Sequence, residues 1–162
     1  TWQLGDLGYV IHYAHRLPDA FREFPHVIYQ PMTYSDEEFS LFFGHCLALQ
    51  NYTLIIDEVD RFARPRHYVT DNLREIVNRG RRQGIGLIAN SRRPASTHMD
   101  LRSNADYVVT FHLHETRDVD YVSEWIGVDE VAPNPLKELR GHESILWSAN
   151  TGEWIKQQKC PT

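Results

Sequence analysis

The chain has 162 residues and a mass of 19.0 kDa, a length that suits one domain with a substantial core. It is 41% apolar and 24% charged, and no apolar run nears the roughly 18 residues that span a bilayer, which excludes a membrane-inserted chain. Two cysteines, Cys46 and Cys160, in no metal-ligand spacing exclude a disulfide scaffold and point to a reducing, intracellular setting, and a net charge of −5 argues against a uniformly basic nucleic-acid coat.

Along the chain, Tyr9 to Ala14 has the character of a strand, while Tyr9 to Phe24 also carries helical periodicity. His26 to Gln30 reads as a short buried strand stopped by Pro31. Ser35 is an N-cap and Glu38 completes a capping box, opening a helix with Phe39, Phe42, Phe43 and Leu47 at helical spacing. Asn51 to Ile56 is an apolar strand ending in Asp57-Glu58. A loop with Pro65 follows, then a helix capped by Thr70 or Asp71 that runs through Leu73, Ile76 and Val77. Gly84 to Ala89 is a second apolar strand, ending in Asn90 and Ser91, and Ala105 to His112 is a third. A helix from about Asp118 to Ile126 stops at Gly127, and Ser144 to Trp147 with Glu153 to Ile155 form a terminal hairpin around Asn150 to Gly152.

Apolar strands alternating with helices predict an α/β fold, a predominantly parallel sheet flanked by helices on both faces, in a single domain over 1–162. In such sheets the chemistry lies beyond the carboxyl ends of the strands. That directs attention to Asp57-Glu58, to Asn90-Ser91-Arg92-Arg93, and to His112 and His114.

Charge is unevenly spread. Of 17 basic residues 14 are arginine, and the three lysines are Lys137, Lys156 and Lys159. Arg74, Arg79, Arg81, Arg82, Arg92 and Arg93 crowd one stretch that holds a single acid, Glu75, whereas Asp118 to Glu130 holds five acids and no base. An acidic pair at a strand tip has a use: one carboxylate holds a hydrated Mg²⁺ through its hard oxygens, and its neighbour polarises a water for in-line attack on a phosphate. Nearby arginines can stabilise the charge that phosphoryl transfer develops, from the same subunit or a neighbouring one.

Three segments carry a resemblance: Leu54-Ile-Ile-Asp-Glu58, then Arg79-Gly80-Arg81, then Gly84 to Pro94. Together, over about Val27 to Trp154, the chain resembles the HerA–FtsK branch of P-loop ATPases, ring-forming motors that pump or package DNA and include viral genome-packaging ATPases. The resemblance implies a P-loop NTPase of the additional-strand type with a C-terminal β-hairpin. It implies ATP and Mg²⁺ as cofactors, DNA as the substrate moved, and a homo-oligomeric ring. A portal, capsid or membrane-channel protein would be its partner, in the cytoplasm or on a virion. It gives Asp57 to Mg²⁺ and Glu58 to the lytic water. Asn90 or Ser91 approximates the nucleotide sensor, and Arg79, Arg81 or Arg93 is the arginine finger, with Arg82 and Arg92 left for DNA. The usual Gln of the family's turn is here Arg92 or Ser91, depending on register.

The phosphate-cradling half of the site does not occur in these residues. A Gly-x-x-x-x-Gly-Lys loop followed by Ser or Thr needs a lysine, and the first is Lys137. The expectation is that this Walker A segment lies upstream of Thr1 and that the chain alone is inactive; a non-catalytic relative of the family is the other possibility. Survival of the Asp57-Glu58 pair favours the former.

Two other readings compete. Asp57-Glu58-Val59-Asp60, followed by Arg61, is similar to the Asp-Glu-x-Asp motif of DEAD-box-like helicases, although the Ser-Ala-Thr expected at the next strand end is Ala89-Asn90-Ser91. A nucleic-acid-binding or scaffolding module would use the Arg74 to Arg93 stripe for salt-dependent phosphate contacts. Trp2, Trp125, Trp147 and Trp154 are expected in packing rather than on bases. His112 and His114 are expected as polar strand-end residues rather than metal ligands, and Cys46 as core. No nucleophile elbow is present for Ser- or Cys-based hydrolysis.

Overall fold

The computed structural model describes residues 4–157; Thr1, Trp2 and Cys160 lie outside the described residues. The chain divides into two compact units, Thr1–Asn90 and Ser91–Thr162. Among the described residues, no helix is long and apolar enough to cross a membrane.

The first unit opens with strand β1 (Tyr9–Ile11), a 3-10 turn (Ala14–Arg16) and helix α1 (Leu17–Glu23). The segment that carried both strand and helix signals therefore contains both: the strand ends at Ile11, helical turns begin at Ala14, and Pro18 lies in the first turn of α1, for which it is preorganised. Strand β2 (Val27–Tyr29) pairs parallel with β1. Helix α2 (Asp36–Ala48) starts where Ser35 Oγ accepts the Glu38 amide at 3.2 Å. The Glu38 carboxylate does not complete the expected box; Oε1 instead accepts from the Ala14 amide (2.7 Å) and the Tyr29 hydroxyl (2.8 Å), tying α2 to the first strands.

Strand β3 (Tyr52–Ile56) is followed by a 3-10 turn (Val59–Arg61) and a short antiparallel pair, β4 (Ala63–Arg64) and β5 (His67–Tyr68), in the stretch read as loop. Helix α3 (Asp71–Arg79) is capped by Thr70, whose Oγ1 accepts the Leu73 amide at 3.1 Å, and ends at Gly80. A 3-10 turn (Gly80–Gln83) leads into β6 (Ile85–Ala89), which pairs parallel with β3 from Tyr52↔Ile85 to Ile56↔Ala89. Gly84 sits at φ +72° with Asn51 so close that a Cβ would strike its Oδ1, so the turn into β6 requires glycine.

Leu54, Ile56 and Ile85 face the core with Phe39, Phe42, Phe43, Leu73 and Ile76. The opposite face differs from expectation: register partners Ile55 and Ile88 are 69% and 56% exposed. Among the described residues this second face, which carries Thr53, Ile55, Gly86 and Ile88, is exposed.

The second unit contains a 3-10 turn (Pro94–Ser96), α4 (Met99–Asn104), β7 (Tyr107–Thr110), α5 (Thr116–Ile126), β8 (Ser144–Ser148) and β9 (Trp154–Gln157). Here β7 pairs antiparallel with β8, and β8 with β9 as the expected hairpin. The described residues form small sheets rather than one large parallel sheet: two parallel pairs and the short antiparallel β4–β5 pair in the first unit, and an antiparallel three-stranded sheet in the second. Val108, Val119, Val122, Ile126, Leu136, Leu139 and Ile145 make the second core, with Trp125, Trp147 and Trp154 packed against it, as expected for these tryptophans. Gly127 ends α5 at φ +71°.

Candidate functional site

At the carboxyl end of β3 the chain makes a tight acidic turn. The Asn90 amide donates to the Ile56 carbonyl (2.9 Å) and the Asn90 carbonyl accepts from the Val59 amide (2.8 Å). Asp57 and Glu58 are thus looped out between two bonds to a single residue of the neighbouring strand end. The Asn90 side chain adds a third bond, Nδ2 donating to Asp57 Oδ1 at 2.9 Å, and the Glu58 amide donates to the same oxygen at 3.0 Å.

Glu58 closes this turn in the left-handed region, φ 51° and ψ 50°. For a residue with a Cβ that conformation costs on the order of 1–3 kcal/mol and persists only where the surroundings impose it. They do so here. Its carbonyl accepts the Arg61 amide at 2.9 Å, and Arg61 Nε meets Glu58 Oε2 at 2.8 Å. Val59 is buried, and the Phe62 ring lies edge-on to Phe39 (4.9 Å) and Phe43 (5.9 Å), fastening the turn to α2. In the sequence Arg61 stands out only as the residue that follows the Asp57-Glu58-Val59-Asp60 motif; a guanidinium three residues after an acid at a strand tip is the signal of its pairing with Glu58.

Arg79, Arg81 and Arg82 are exposed at the other end of the same strand pair. A helix that finishes just before β6 delivers its last residues to the start of that strand, beside Asn51, whose amide bonds the Gln83 carbonyl at 3.2 Å. Five residues of β6 then separate this basic turn from Asn90, about 15 Å at the usual strand rise. The structure does not bring Arg79, Arg81 or Arg82 to the Asp57-Glu58 turn of their own chain. Arg79 pairs with Glu75 at 3.2 Å, one turn back on α3.

Ser91, Arg92 and Arg93 begin the second unit. Ser91 Oγ accepts the Arg93 amide (3.0 Å), and the Arg93 carbonyl accepts the Ser96 amide (2.8 Å). The Ala95 amide donates to Oδ1 of buried Asp118 at 2.9 Å, and Arg117 Nη2 reaches the Ala95 carbonyl at 3.5 Å. This turn holds Arg92 and Arg93 at the surface, with Arg93 Nη2 lying 3.8 Å from Glu115.

Asp57 fits a hydrated Mg²⁺. It is exposed, and Asn90 and Glu58 orient it through Oδ1, which leaves Oδ2 for an ion held by one or two carboxylates plus water and phosphate. Among the described residues no group of three or more His, Cys, Asp or Glu side chains is placed to hold a metal; the His112 and His114 rings lie 4.8 Å apart without such company. Cys46 is buried, and burial pushes its thiol up to about 12, the state of a core residue rather than a nucleophile.

No protein-family model matches the sequence, and no curated protein resembles it in sequence. Solved structures do resemble it in shape. The genome packaging NTPase B204 from Sulfolobus turreted icosahedral virus 2, in complex with AMPPCP, superposes with a TM-score of 0.78 at 18% identity, over 96% of this chain and 75% of that one. The same protein with ATP-gammaS gives 0.77 over 95% and 74%. B204, the DNA-packaging ATPase from Sulfolobus turreted icosahedral virus, gives 0.69 at 21% identity over 83% and 66%. At these identities the likeness establishes the fold: the chain is folded like a viral genome-packaging NTPase.

Proposed function

We propose that this chain is the major part of an ATPase subunit of a DNA-packaging or DNA-translocating motor. The observation that carries the reading is the Asp57-Glu58 turn, looped out at the end of a parallel strand and held by Asn90. Bound Mg²⁺-ATP would supply the phosphoryl group and the charge that Asp57 meets. Two N–H donors on Oδ1 preorient the Asp57 carboxylate, which offers its other oxygen to the ion, so little reorganisation accompanies ion binding. Glu58 is the group for orienting water, and Asn90 acts by holding Asp57. These 162 residues hold no Gly-x-x-x-x-Gly-Lys loop, the first lysine being Lys137, so the proposed chemistry of this chain is that of the acidic turn.

Arg79 and Arg81 serve best as fingers for a neighbouring subunit, since their end of the sheet is about 15 Å from the acidic turn of their own chain. That requires a homo-oligomer, for which a ring is the natural closure. Arg93 is the remaining candidate, and Arg82 and Arg92, both exposed, are assigned to DNA phosphates. A portal, capsid or membrane-channel protein would receive the DNA, with the motor in the cytoplasm or on a virion.

The test is Glu58→Gln in the protein that includes the phosphate loop. Steady-state ATP turnover falls to background while nucleotide binding persists; unchanged turnover removes Glu58 from the chemistry. Mixing Glu58→Gln subunits with Arg79→Ala or Arg81→Ala subunits then restores part of the activity if the finger crosses an interface. Mixtures that stay inactive at every ratio exclude it.

A further inference from the structure

We infer, on the motor reading above, that the tip of the β4–β5 hairpin is a contact for DNA phosphates, and that Arg66 is kept there against the preference of its own turn.

The hairpin is a braced projection. Arg64 pairs with His67, so Pro65 and Arg66 form a two-residue tip, and Ala63 pairs with Tyr68 at the base. Below them the Val69 amide donates to the Phe62 carbonyl at 2.8 Å, and the Phe62 ring lies edge-on to Phe39 and Phe43 of α2. Side chains directly opposite on a ribbon share a face. Ala63 is buried and Tyr68 half-buried, whereas Arg64 and His67 are exposed on the other face. From Arg61 to Val69 the sequence holds three arginines and no acid. Arg61 is paired with Glu58; Arg64 and Arg66 are exposed and make no ion pair among the described residues.

The tip carries the sharper observation. Arg66 stands at φ +64°. Proline followed by a residue at positive φ is the order of a type II turn, whose second place suits glycine or asparagine. Arginine has a Cβ that this backbone disfavours, and among the described residues its guanidinium gains no hydrogen bond or ion pair in return. A strained, exposed and unpaired arginine is accounted for by a partner outside the chain.

Phosphate is the chemistry that fits. A guanidinium presents coplanar N–H donors that match phosphate oxygens bidentately. A chain of net charge −5 repels a polyanion on average, which confines the contact to basic projections. Such contacts carry no sequence information and release counterions, so salt dependence is their signature.

The experiment is fluorescence anisotropy of the full chain on short duplexes of two unrelated sequences, between about 50 and 200 mM salt. Arg64→Ala and Arg66→Asn are each expected to weaken binding about two- to fivefold, equally for both sequences. Each lowers the slope of log affinity against log salt by about 1. Arg66→Asn also melts at or above the wild-type temperature, because asparagine suits the left-handed backbone. Arg22→Ala, which removes an exposed arginine from α1, leaves affinity and slope unchanged. A lower melting temperature in Arg66→Asn makes that arginine structural and overturns the inference. An unchanged slope in both hairpin variants, or an equal loss in Arg22→Ala, overturns it as well. So does a loss of self-association in sedimentation with DNA binding intact, which makes the hairpin a contact between subunits. Each of these leaves wild-type DNA binding, and with it the motor reading, in place; a wild-type protein that binds no duplex overturns both.

Discussion

Asn90 holds Asp57 from both directions: its side-chain amide donates to Oδ1 at 2.9 Å, while its backbone bonds Ile56 and Val59 on either side of the looped-out pair. The backbone bonds survive substitution; the side-chain bond does not. Asn90→Ala is therefore expected to cost about 0.5–1.5 kcal/mol of stability, the net worth of one hydrogen bond, and less where it is solvated as here. Its effect on turnover is larger, because Asp57 loses the donor that aims it: a fall of about tenfold or more, appearing as a higher Mg²⁺ requirement. Asn90→Asp goes further, placing a second carboxylate where a donor stood. Titrating Mg²⁺ against ATP turnover for both variants checks the order, and an unaltered Mg²⁺ dependence in Asn90→Asp removes Asn90 from the site.

Much of this turn was legible in the sequence. Apolar runs at Tyr52–Ile56 and Ile85–Ala89 end in polar residues because strands buried on a face must stop where water begins, and parallel pairing puts both ends side by side. Ser35 and Thr70 announce their helices through hydroxyls that cap them, and Gly127 announces the end of α5. The Glu58 backbone was not legible, since positive φ is expected at Gly or Asn and here falls on a charged residue compelled by its neighbours. The place of Arg79 to Arg82 is a matter of chain direction: closeness in sequence to β6 is closeness to its beginning, whereas Asn90 is at its end. Apolar content also cannot report strand partners, so Tyr107–Thr110 reads like a parallel strand although it lies antiparallel to β8. Nor does it report which faces are covered, as the exposed Ile55 and Ile88 show.

Alkaline stability follows from the core of the first unit. Burial pushes the Cys46 thiol from 9.0 up to about 12, and burial likewise raises Tyr52, whose hydroxyl donates to the Cys46 carbonyl at 2.6 Å, and Tyr29. In the folded chain these groups keep their protons where the unfolded chain sheds them. The Cys46 contribution is whole below pH 9 and is lost as pH rises from 9 toward 12, while that of the two tyrosines is whole below pH 10 and is lost above it, at about 1.4 kcal/mol per pH unit for each group fully titrating in the unfolded state. Urea unfolding at pH 8, 9, 10 and 11 should show this decline. Cys46→Ala should lower stability at pH 8 through the lost packing of a buried sulfur yet make the decline with pH shallower. An equal slope in both proteins would contradict the assignment to Cys46.

The second unit offers a sharper structural test at Asp118. This buried carboxylate stands in the first turn of α5, where a negative charge meets the helix dipole, and its Oδ1 takes the Ala95 amide at 2.9 Å. It thereby fixes the Pro94–Ser96 turn that follows Arg92 and Arg93. Asp118→Ala leaves the Ala95 amide buried without its acceptor, and a hydrogen bond to a charged group is worth about 1.5–3 kcal/mol. Asp118→Asn keeps the shape and an acceptor oxygen but loses the charge, so it should retain more than half of that stability. The functional consequence separates the arginine candidates. If Arg93 contributes to turnover, Asp118→Ala lowers it beyond what the loss of folded protein explains, when measured well below the melting temperature. If Arg79 or Arg81 is the finger, activity per folded subunit is unchanged, because the Ala95–Asp118 bond bears on the turn that carries Arg93 and not on the residues that carry those two.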